Sequence, residues 1–181
     1  MLVIQIPDQE FFDSEKNEFT YVPACKLKLE HSLLSISKWE TKWKKPFLTN
    51  EKPTPAEFID YVKCMTINQD VPDSVYDLLG YDNIRKIEAY IMDPATASKV
   101  YDMRKGNGRK PETPTSELIY YWMVSNGIPF ECEKWHLNRL LTLIKVCSIK
   151  NASPKKRSQR DIMRRNSSIN AARRKQYNTR G

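Results

Sequence analysis

The distribution of charge divides this chain into two parts. Residues 150–181 contain eleven lysines and arginines but a single acidic residue, Asp161, so this segment has a net charge of +10. Because the whole chain carries +8, residues 1–149 carry −2, and the basic character belongs to the C-terminal segment. The nearly neutral part is therefore the one expected to form a core. The sequence predicts a mainly helical globular domain over residues 1–150 and a basic, partly helical tail over residues 151–181.

The composition favours a folded protein outside the membrane. Hydrophobic residues make up 40% and aromatic residues 10% of the 181 positions, as in folded soluble domains. No apolar run approaches the roughly 18 residues that cross a bilayer, and the start, MLVIQIPDQEFF, lacks the basic lead of a signal peptide. We therefore expect a cytoplasmic protein with no membrane association and with its four cysteines reduced.

The first thirty residues have the pattern of short strands. LVIQI (residues 2–6) is rich in branched apolar side chains, while FTYVP (19–23) and CKLKLE (25–30) alternate apolar and polar residues. After Ser32 the apolar period becomes that of helices. The predicted fold class is thus mostly α with a small N-terminal β-sheet (α+β), the strands lying within about residues 1–31.

Helix signals follow along the rest of the domain. In TPAEFIDYVKCM, Thr54 is a typical N-cap, Pro55 occupies the first helical position, and Glu57 completes a capping box. A further helix is predicted in DNIRKIEAYIM, with Asp82 as its cap. Two more are predicted in SELIYYWMVSN and, as one longer helix, through ECEKWHLNRLLTLIKVCSI.

The segment SISKWETKWKKPF places two tryptophans among lysines. Residues four apart lie on one side of a helix, so Trp39 and Trp43 share a stripe with Ile36, and Pro46 ends the element. We predict a short amphipathic helix whose aromatic stripe packs on the helical body, with the lysines as its solvated rim. The alternative is that the stripe binds a partner.

The sequence offers little catalytic chemistry. Only five glycines occur, so no glycine-rich phosphate-binding loop can form. His136 lies four residues after Cys132, but Cys147 would be roughly 16 Å further along the same helix, which argues against zinc. A buried cysteine and a hydrogen-bonded histidine are the favoured interpretation. We predict no enzyme, no metal site and no cofactor.

The basic tail has two open interpretations. Its cations could bind nucleic acid phosphates without sequence preference, or a helix carrying Ile162, Met163 and Ile169 could dock on an acidic partner. The residues proposed for either role are Lys155, Lys156, Arg157, Arg160, Arg164, Arg165, Arg173, Arg174 and Lys175.

Four segments of the chain resemble a protein of long-tailed bacteriophages. They are SISKWETKWKKPF, FIDYVKCMTINQDVP, ELIYYWMVSNGIPFECEKWHLNRLLTLIKVCSIKN and INAARRKQYNTRG. As a set they are similar to a tail assembly chaperone, encoded in the tail-morphogenesis cluster near the tape-measure gene. The resemblance covers nearly the whole chain and is weakest over residues 1–25 and around Gly106.

The resemblance implies a non-catalytic helper in the host cell cytoplasm. Such a protein coats the long helical tape-measure protein, keeps it soluble, and gives way as tube subunits polymerise around it. The +10 tail would suit equally a structural tail or connector protein retained in the virion, which is the first alternative. The second alternative is a small nucleic-acid-binding protein. Binding of other tail proteins and formation of a homo-oligomer stay open.

Aromatic residues are the candidates for contact with such a partner. Tyrosine and tryptophan give large contact area at low entropic cost. The apolar face of a helix covers about a third of its circumference, so the YYW triplet must place at least one ring outside the core. The proposed partner-binding residues are Trp39, Trp43, Tyr120, Tyr121, Trp122 and Trp135.

Overall fold

The computed structural model of the chain describes residues 1–13, 17–49, 51–98, 113–151 and 159–178. Within these ranges the fold is mostly α with its β-strands at the N-terminus, so the predicted fold class is confirmed. The internal contacts divide the chain into two compact units, Met1–Ile149 and Lys150–Gly181.

Four strands form two antiparallel pairs in the first unit. Their bounds are β1 Leu2–Ile6, β2 Gln9–Asp13, β3 Glu18–Val22 and β4 Cys25–Leu29. β1 pairs with β4 and β2 pairs with β3, so two small sheets replace the single predicted one. β2 is absent from the sequence-based prediction because QEFFD lacks branched side chains and strict alternation. Pairing with β3, in the register Phe12 to Phe19, supplies what the local pattern does not.

The β1–β4 pair contributes one face to the hydrophobic core. Ile4 lies opposite Leu27, and Ile4, Ile6, Leu27 and Leu29 are all buried. Because side chains alternate between the two faces of a strand, the intervening polar residues point to solvent. This alternation is the pattern that predicts β4 from the sequence.

Six α-helices and one 3₁₀ helix follow in the described part of the first unit. Their bounds are α1 Leu33–Trp43, α2 Pro55–Met65, α3 Ser74–Asp77, α4 Tyr81–Met92, α5 Ser116–Ser125, the 3₁₀ helix Phe130–Lys134, and α6 Leu137–Asn151. α1 packs against both α2 and α5 and is therefore the central helix of this unit. Side chains that could face a partner have to be located relative to α1.

Helix α2 begins as its sequence predicts. The Thr54 hydroxyl accepts a hydrogen bond from the Glu57 backbone N–H, and the Glu57 carboxylate accepts one from the Thr54 N–H at 2.8 Å. Its inner face buries Tyr61, Val62 and Met65 completely. Local capping and apolar period agree here, so a sequence-based prediction of this helix is reliable.

The predicted cap of α4 is wrong by two residues. Gly80, in an extended conformation, is the N-cap, and the helix already includes Tyr81 and Asp82. Asp82 instead lies in the first turn, where a carboxylate interacts favourably with the helix dipole. An acidic residue near a helix start therefore does not identify the cap by itself.

The long helix predicted from Glu131 onward is broken in the structure. The chain forms the 3₁₀ helix, is extended at Trp135, and enters α6 only at Leu137. His136 pairs as an isolated β-bridge with Ser32, and the Leu137 N–H donates to the His31 carbonyl at 2.7 Å. A residue whose backbone pairs with a distant extended segment cannot also be helical, so tertiary pairing overrides the local helical pattern.

The second unit contains the helix α7, Gln159–Tyr177. All of its residues whose burial the structure describes are exposed. The described side chains of α7 are therefore available to solvent, and any function of this helix is expected on its surface.

Candidate partner-binding surface

Trp39 is a core residue rather than a surface contact. Its side chain is 2% exposed, and its ring lies edge-on to Phe47 at a centroid distance of 5.1 Å. The indole Nε1 donates to the Glu57 carbonyl at 3.0 Å, which joins α1 to the first turn of α2. The packing interpretation therefore holds for Trp39, which is removed from the candidate contact surface.

Trp43 lies at the edge of the same aromatic stripe. Its ring stacks on Trp39 at 6.1 Å and is half-buried. Lys45 Nζ lies 5.7 and 5.8 Å from the two ring centroids, and Lys45 also forms an ion pair with Glu57. The hydrogen bond from Lys45 is the main cause that holds the pKa of the Glu57 carboxyl below its usual range. The lysine thus covers the aromatic stripe, as expected of a solvated rim.

A buried carboxylate connects α1 to α5. Glu40 is 8% exposed; it accepts hydrogen bonds from the Phe47 N–H at 2.8 Å and from the Ser116 N–H at 2.7 Å. Ser116 is the first residue of α5, so this carboxylate satisfies one of the free N–H groups at the helix start. The contact joins α1 to the start of α5, whose N-cap is Thr115 with its hydroxyl accepting from the Leu118 N–H.

The YYW triplet on α5 divides as its sequence predicts. Tyr121 is 64% exposed, whereas Tyr120 and Trp122 are half-buried. Tyr120 donates its hydroxyl to the Glu133 carboxylate at 2.8 Å, and partial burial raises the pKa of its phenol, with Glu133 raising it further. Tyr121 is thus the ring of the triplet that is placed for contact with another molecule.

Tyr121 belongs to a larger exposed group that we name the α5 patch. Val124, 61% exposed, lies one turn after Tyr121, and Phe130, 57% exposed, lies 6.2 Å from the Tyr120 ring. The α5 patch therefore consists of the exposed Tyr121, Val124 and Phe130 and of the half-buried Tyr120 beside Phe130. The sequence analysis named the two tyrosines but not Val124 or Phe130, although the i, i+3 and i, i+4 spacing within α5 could have identified Val124.

Trp135 occupies a separate position. It is half-buried and follows the 3₁₀ helix, and the Arg139 guanidinium carbon lies 4.2 Å from its ring centroid. Within the described residues, ring contacts join Tyr120 to Phe130 but do not join Trp135 to the rings of α5. Trp135 is therefore engaged in an intramolecular cation–π contact and does not extend the α5 patch.

A second exposed aromatic group lies on the β2–β3 hairpin and was not predicted. Phe12, Phe19 and Tyr21 are 49%, 76% and 58% exposed, and the two phenylalanine rings meet edge-on at 5.3 Å. The three side chains share one face because Val22, of opposite parity in β3, is buried. The alternation in FTYV contains this signal, but only the pairing of β2 with β3 brings Phe12 onto the face.

The two histidines occupy the interior. His31 Nδ1 and the Tyr61 hydroxyl share a hydrogen bond of 2.6 Å, and the His31 and His136 rings meet edge-on at 5.1 Å. Burial, followed by the proximity of His136, lowers the pKa of His31 to about 3, so this ring is neutral at neutral pH. His136 Nε2 donates to the Tyr90 carbonyl at 3.0 Å, and Cys132 is buried, as the structural interpretation predicts.

The tail residues divide by what the structure describes. Lys155, Lys156 and Arg157 lie outside the described residues. The other six cations belong to α7 and are exposed: Arg160, Arg164, Arg165, Arg173, Arg174 and Lys175. These six cations form the basic surface of α7.

Comparisons with models of protein families, with curated proteins and with solved structures return no match. Among the described residues, no group of three or more histidine, cysteine, aspartate or glutamate side chains is arranged to hold a metal ion. No helix in the same part of the chain is long and apolar enough to cross a membrane.

Proposed function

We propose that this protein is a non-catalytic phage tail assembly chaperone that binds the tape-measure protein through the α5 patch. The observation that carries the proposal is an exposed group of aromatic and branched side chains on α5 and the adjoining 3₁₀ helix. The sequence resemblance to such chaperones supplies the identity of the partner. The protein acts in the host cell cytoplasm, before the tail is complete.

The chemistry of the α5 patch suits an apolar helical stripe. Tyrosine and phenylalanine rings supply contact area while losing few rotamers on binding. A long helix with an exposed apolar stripe tends to aggregate, and a protein that covers the stripe keeps the helix soluble. The tape-measure protein is such a helix, so a row of bound chaperones would shield it.

The size of the α5 patch also fits a contact that must be released. Four side chains form a smaller contact than the roughly 1,200 Å² at which standard-size interfaces begin, so each copy binds reversibly. Reversible binding at many sites along a helix maintains solubility by mass action. It also allows polymerising tube subunits to displace the chaperone one copy at a time.

Co-expression with the tape-measure protein tests the proposal directly. The lysate is treated with nuclease and resolved by size exclusion with light scattering, while absorbance is recorded at 260 and 280 nm. A soluble complex free of nucleic acid, with many copies per tape measure, is the expected result. A single peak of this protein beside insoluble tape measure would contradict the proposal.

A matched pair of variants locates the binding surface. Tyr121→Ala should return the tape measure to the insoluble fraction, whereas Tyr81→Ala should not. Both tyrosines are exposed on helices, at 64% and 74%, but Tyr81 lies on α4, outside the α5 patch. Equal solubility of the tape measure with both variants would move the contact away from α5.

Purified phage particles distinguish the chaperone from a structural tail or connector protein. Mass spectrometry of mature virions should find none of this chain, because an assembly chaperone is released. Stoichiometric amounts in the particle would replace the chaperone proposal by the structural one.

A further inference from the structure

Helix α7 carries its charge in an arrangement that composition alone does not reveal. The helix contains six cations and one acid, a net charge of +5, and the described side chains are all exposed. At about 100° per residue, Arg160, Arg164, Arg174 and Lys175 fall within an arc of roughly 100°. We name this arc the cationic face; Arg165 and Arg173 lie at least roughly 130° from its centre.

The cationic face differs from a protein-docking helix. Docking helices present apolar side chains at i, i+3, i+4 and i+7 along one side. Met163 and Ile169 are exposed, at 67% and 38%, but the helical period separates them by roughly 120°. Ile162, seven residues before Ile169, lies on nearly the same side of α7 as Ile169, opposite the cationic face. The arc of the cationic face contains none of these three apolar residues, so charge is the property that this face offers for recognition.

The spacing of the cations along α7 points to a phosphate backbone. Arg160 and Arg164 form one pair and Arg174 and Lys175 another, with pair centres roughly 19 Å apart along the helix axis. Ser167 and Ala171, which lie between the pairs on the same face, are small enough to let the helix approach closely. Arginine binds phosphate and carboxylate oxygens alike through its planar fork, so the regular spacing of phosphates along a duplex, rather than the fork itself, favours nucleic acid over an acidic protein surface.

We propose that the cationic face of α7 binds the phosphate backbone of double-stranded DNA. The two cation pairs can reach the strands on either side of the major groove, which is about 12 Å wide and admits an α-helix. The deep, narrow major groove of duplex RNA cannot admit the helix. Binding is independent of sequence because the cationic face offers arginine and lysine to phosphates and small residues to the groove.

Fluorescence anisotropy with the full-length protein tests this proposal. The probe is a labelled random-sequence DNA duplex of about 20 bp, two helical turns. In titrations between 50 and 200 mM salt, the logarithm of the binding constant plotted against the logarithm of the salt concentration should have a slope of about −3.6 or steeper. Each of the four phosphate contacts contributes about −0.9 to this slope. Affinity that does not change with salt would overturn the proposal.

Two double variants separate the cationic face from net charge. Arg164→Gln with Arg174→Gln removes two cations from this face, and Arg165→Gln with Arg173→Gln removes two from the opposite side. The first double variant should make the salt dependence less steep by about 1.8 and weaken binding more than tenfold at 0.1 M salt. The second double variant should change affinity less than threefold. Equal losses would show undirected attraction to the whole tail and contradict the face. Circular dichroism checks that helix content is equal in both.

Competing probes decide between the anions. Unlabelled DNA duplex should displace the labelled probe at a lower concentration of charges than single-stranded DNA, duplex RNA or polyglutamate. Displacement by polyglutamate at an equal concentration of charges would assign the cationic face to an acidic protein. Stronger displacement by single-stranded DNA or duplex RNA would contradict binding in the major groove of duplex DNA. Loss of DNA binding leaves the chaperone proposal intact, because that proposal rests on α5 and is read without nucleic acid.

Discussion

Helices α1 and α5 both carry closely spaced aromatic residues, but they use them in opposite ways. On α1, Trp39 is buried against Phe47 and bonded to the α2 backbone. On α5, Tyr121 projects to solvent. The difference lies in the spacing: residues four apart occupy one face, whereas three consecutive residues span roughly 200° of the helix.

The comparison shows how aromatic content should be interpreted. Aromatic residues that lie on one side of a helix can all be buried at once, so this spacing predicts a core position even when lysines surround them. Consecutive aromatic residues cannot all be buried by one face, so at least one becomes available for contact. Substitutions on the buried side of α1 should therefore cost far more stability than substitutions on the exposed side of α5.

Truncation of the buried tryptophan should have the largest effect. Trp39→Ala is expected to lower the free energy of unfolding by about 3–5 kcal/mol, because it leaves a cavity and removes the bond to Glu57. Urea denaturation followed by circular dichroism measures the loss. Stability close to wild type would reverse the assignment of α1 to the core and return Trp39 to the candidate contact surface.

Acidification should lower the free energy of unfolding through the buried His31. The folded-state pKa of His31 is lowered to about 3, below the value of 6.5 expected for the unfolded chain, so the unfolded state binds more protons between these values. The contribution of this group is fully present above pH 6.5 and is lost progressively towards pH 3, by about 1.4 kcal/mol per pH unit.

Denaturation midpoints measured from pH 7 to pH 4 check this dependence. In His31→Gln the slope between pH 6.5 and pH 4 should be smaller, even if the variant is less stable at pH 7. An unchanged slope would show that another group governs the acid response.

Removal of the charge on Glu40 should have an intermediate effect. In Glu40→Gln the side chain can accept from the Phe47 or the Ser116 N–H through one oxygen, so one buried donor loses its partner. The expected cost is about 1–3 kcal/mol. The control is Glu117→Gln, an exposed position on α5, and equal costs in the two variants would argue against the role of Glu40 at the helix start.

Truncation of the exposed ring should have the smallest effect on folding. Tyr121→Ala is expected to change the free energy of unfolding by less than about 0.5 kcal/mol, because the side chain is largely solvated already. Thermal denaturation beside wild type measures the difference. A loss comparable to that of Trp39→Ala would place Tyr121 in the fold rather than in a binding surface.

The features that can be predicted from the sequence are those that depend on interactions between residues close together in the chain. The capping box of Thr54 and Glu57, the inner face of α2 and the outward ring of the YYW triplet all depend on residues within one or two helical turns. The break at His136 depends on Ser32, which lies far away in the chain, and the formation of β2 depends on its pairing with the neighbouring strand β3. The residues within each of these two segments do not indicate the outcome.

The candidate site shows the same division. Tyr121 is identifiable from the triplet, but Phe130 joins the α5 patch only because Tyr120 contacts it and bonds to Glu133. The hairpin face with Phe12 and Phe19 requires the β2–β3 register. Sequence reasoning therefore finds the residues whose orientation a single helix determines, and it misses those that a second element brings alongside.

By itself, the sequence determined the separation of a nearly neutral domain from a basic tail, the start of α2, and the face on which each α7 cation lies. These properties depend on charge count and helical period, which hold wherever the helix is found. Tertiary structure alone decided that Trp39 bonds to the Glu57 carbonyl, that Glu40 accepts from the Ser116 N–H at the start of α5, and that the chain is extended before Leu137. Those outcomes depend on contacts between residues far apart in the chain, whose free energies exceed the small local preferences that a sequence displays.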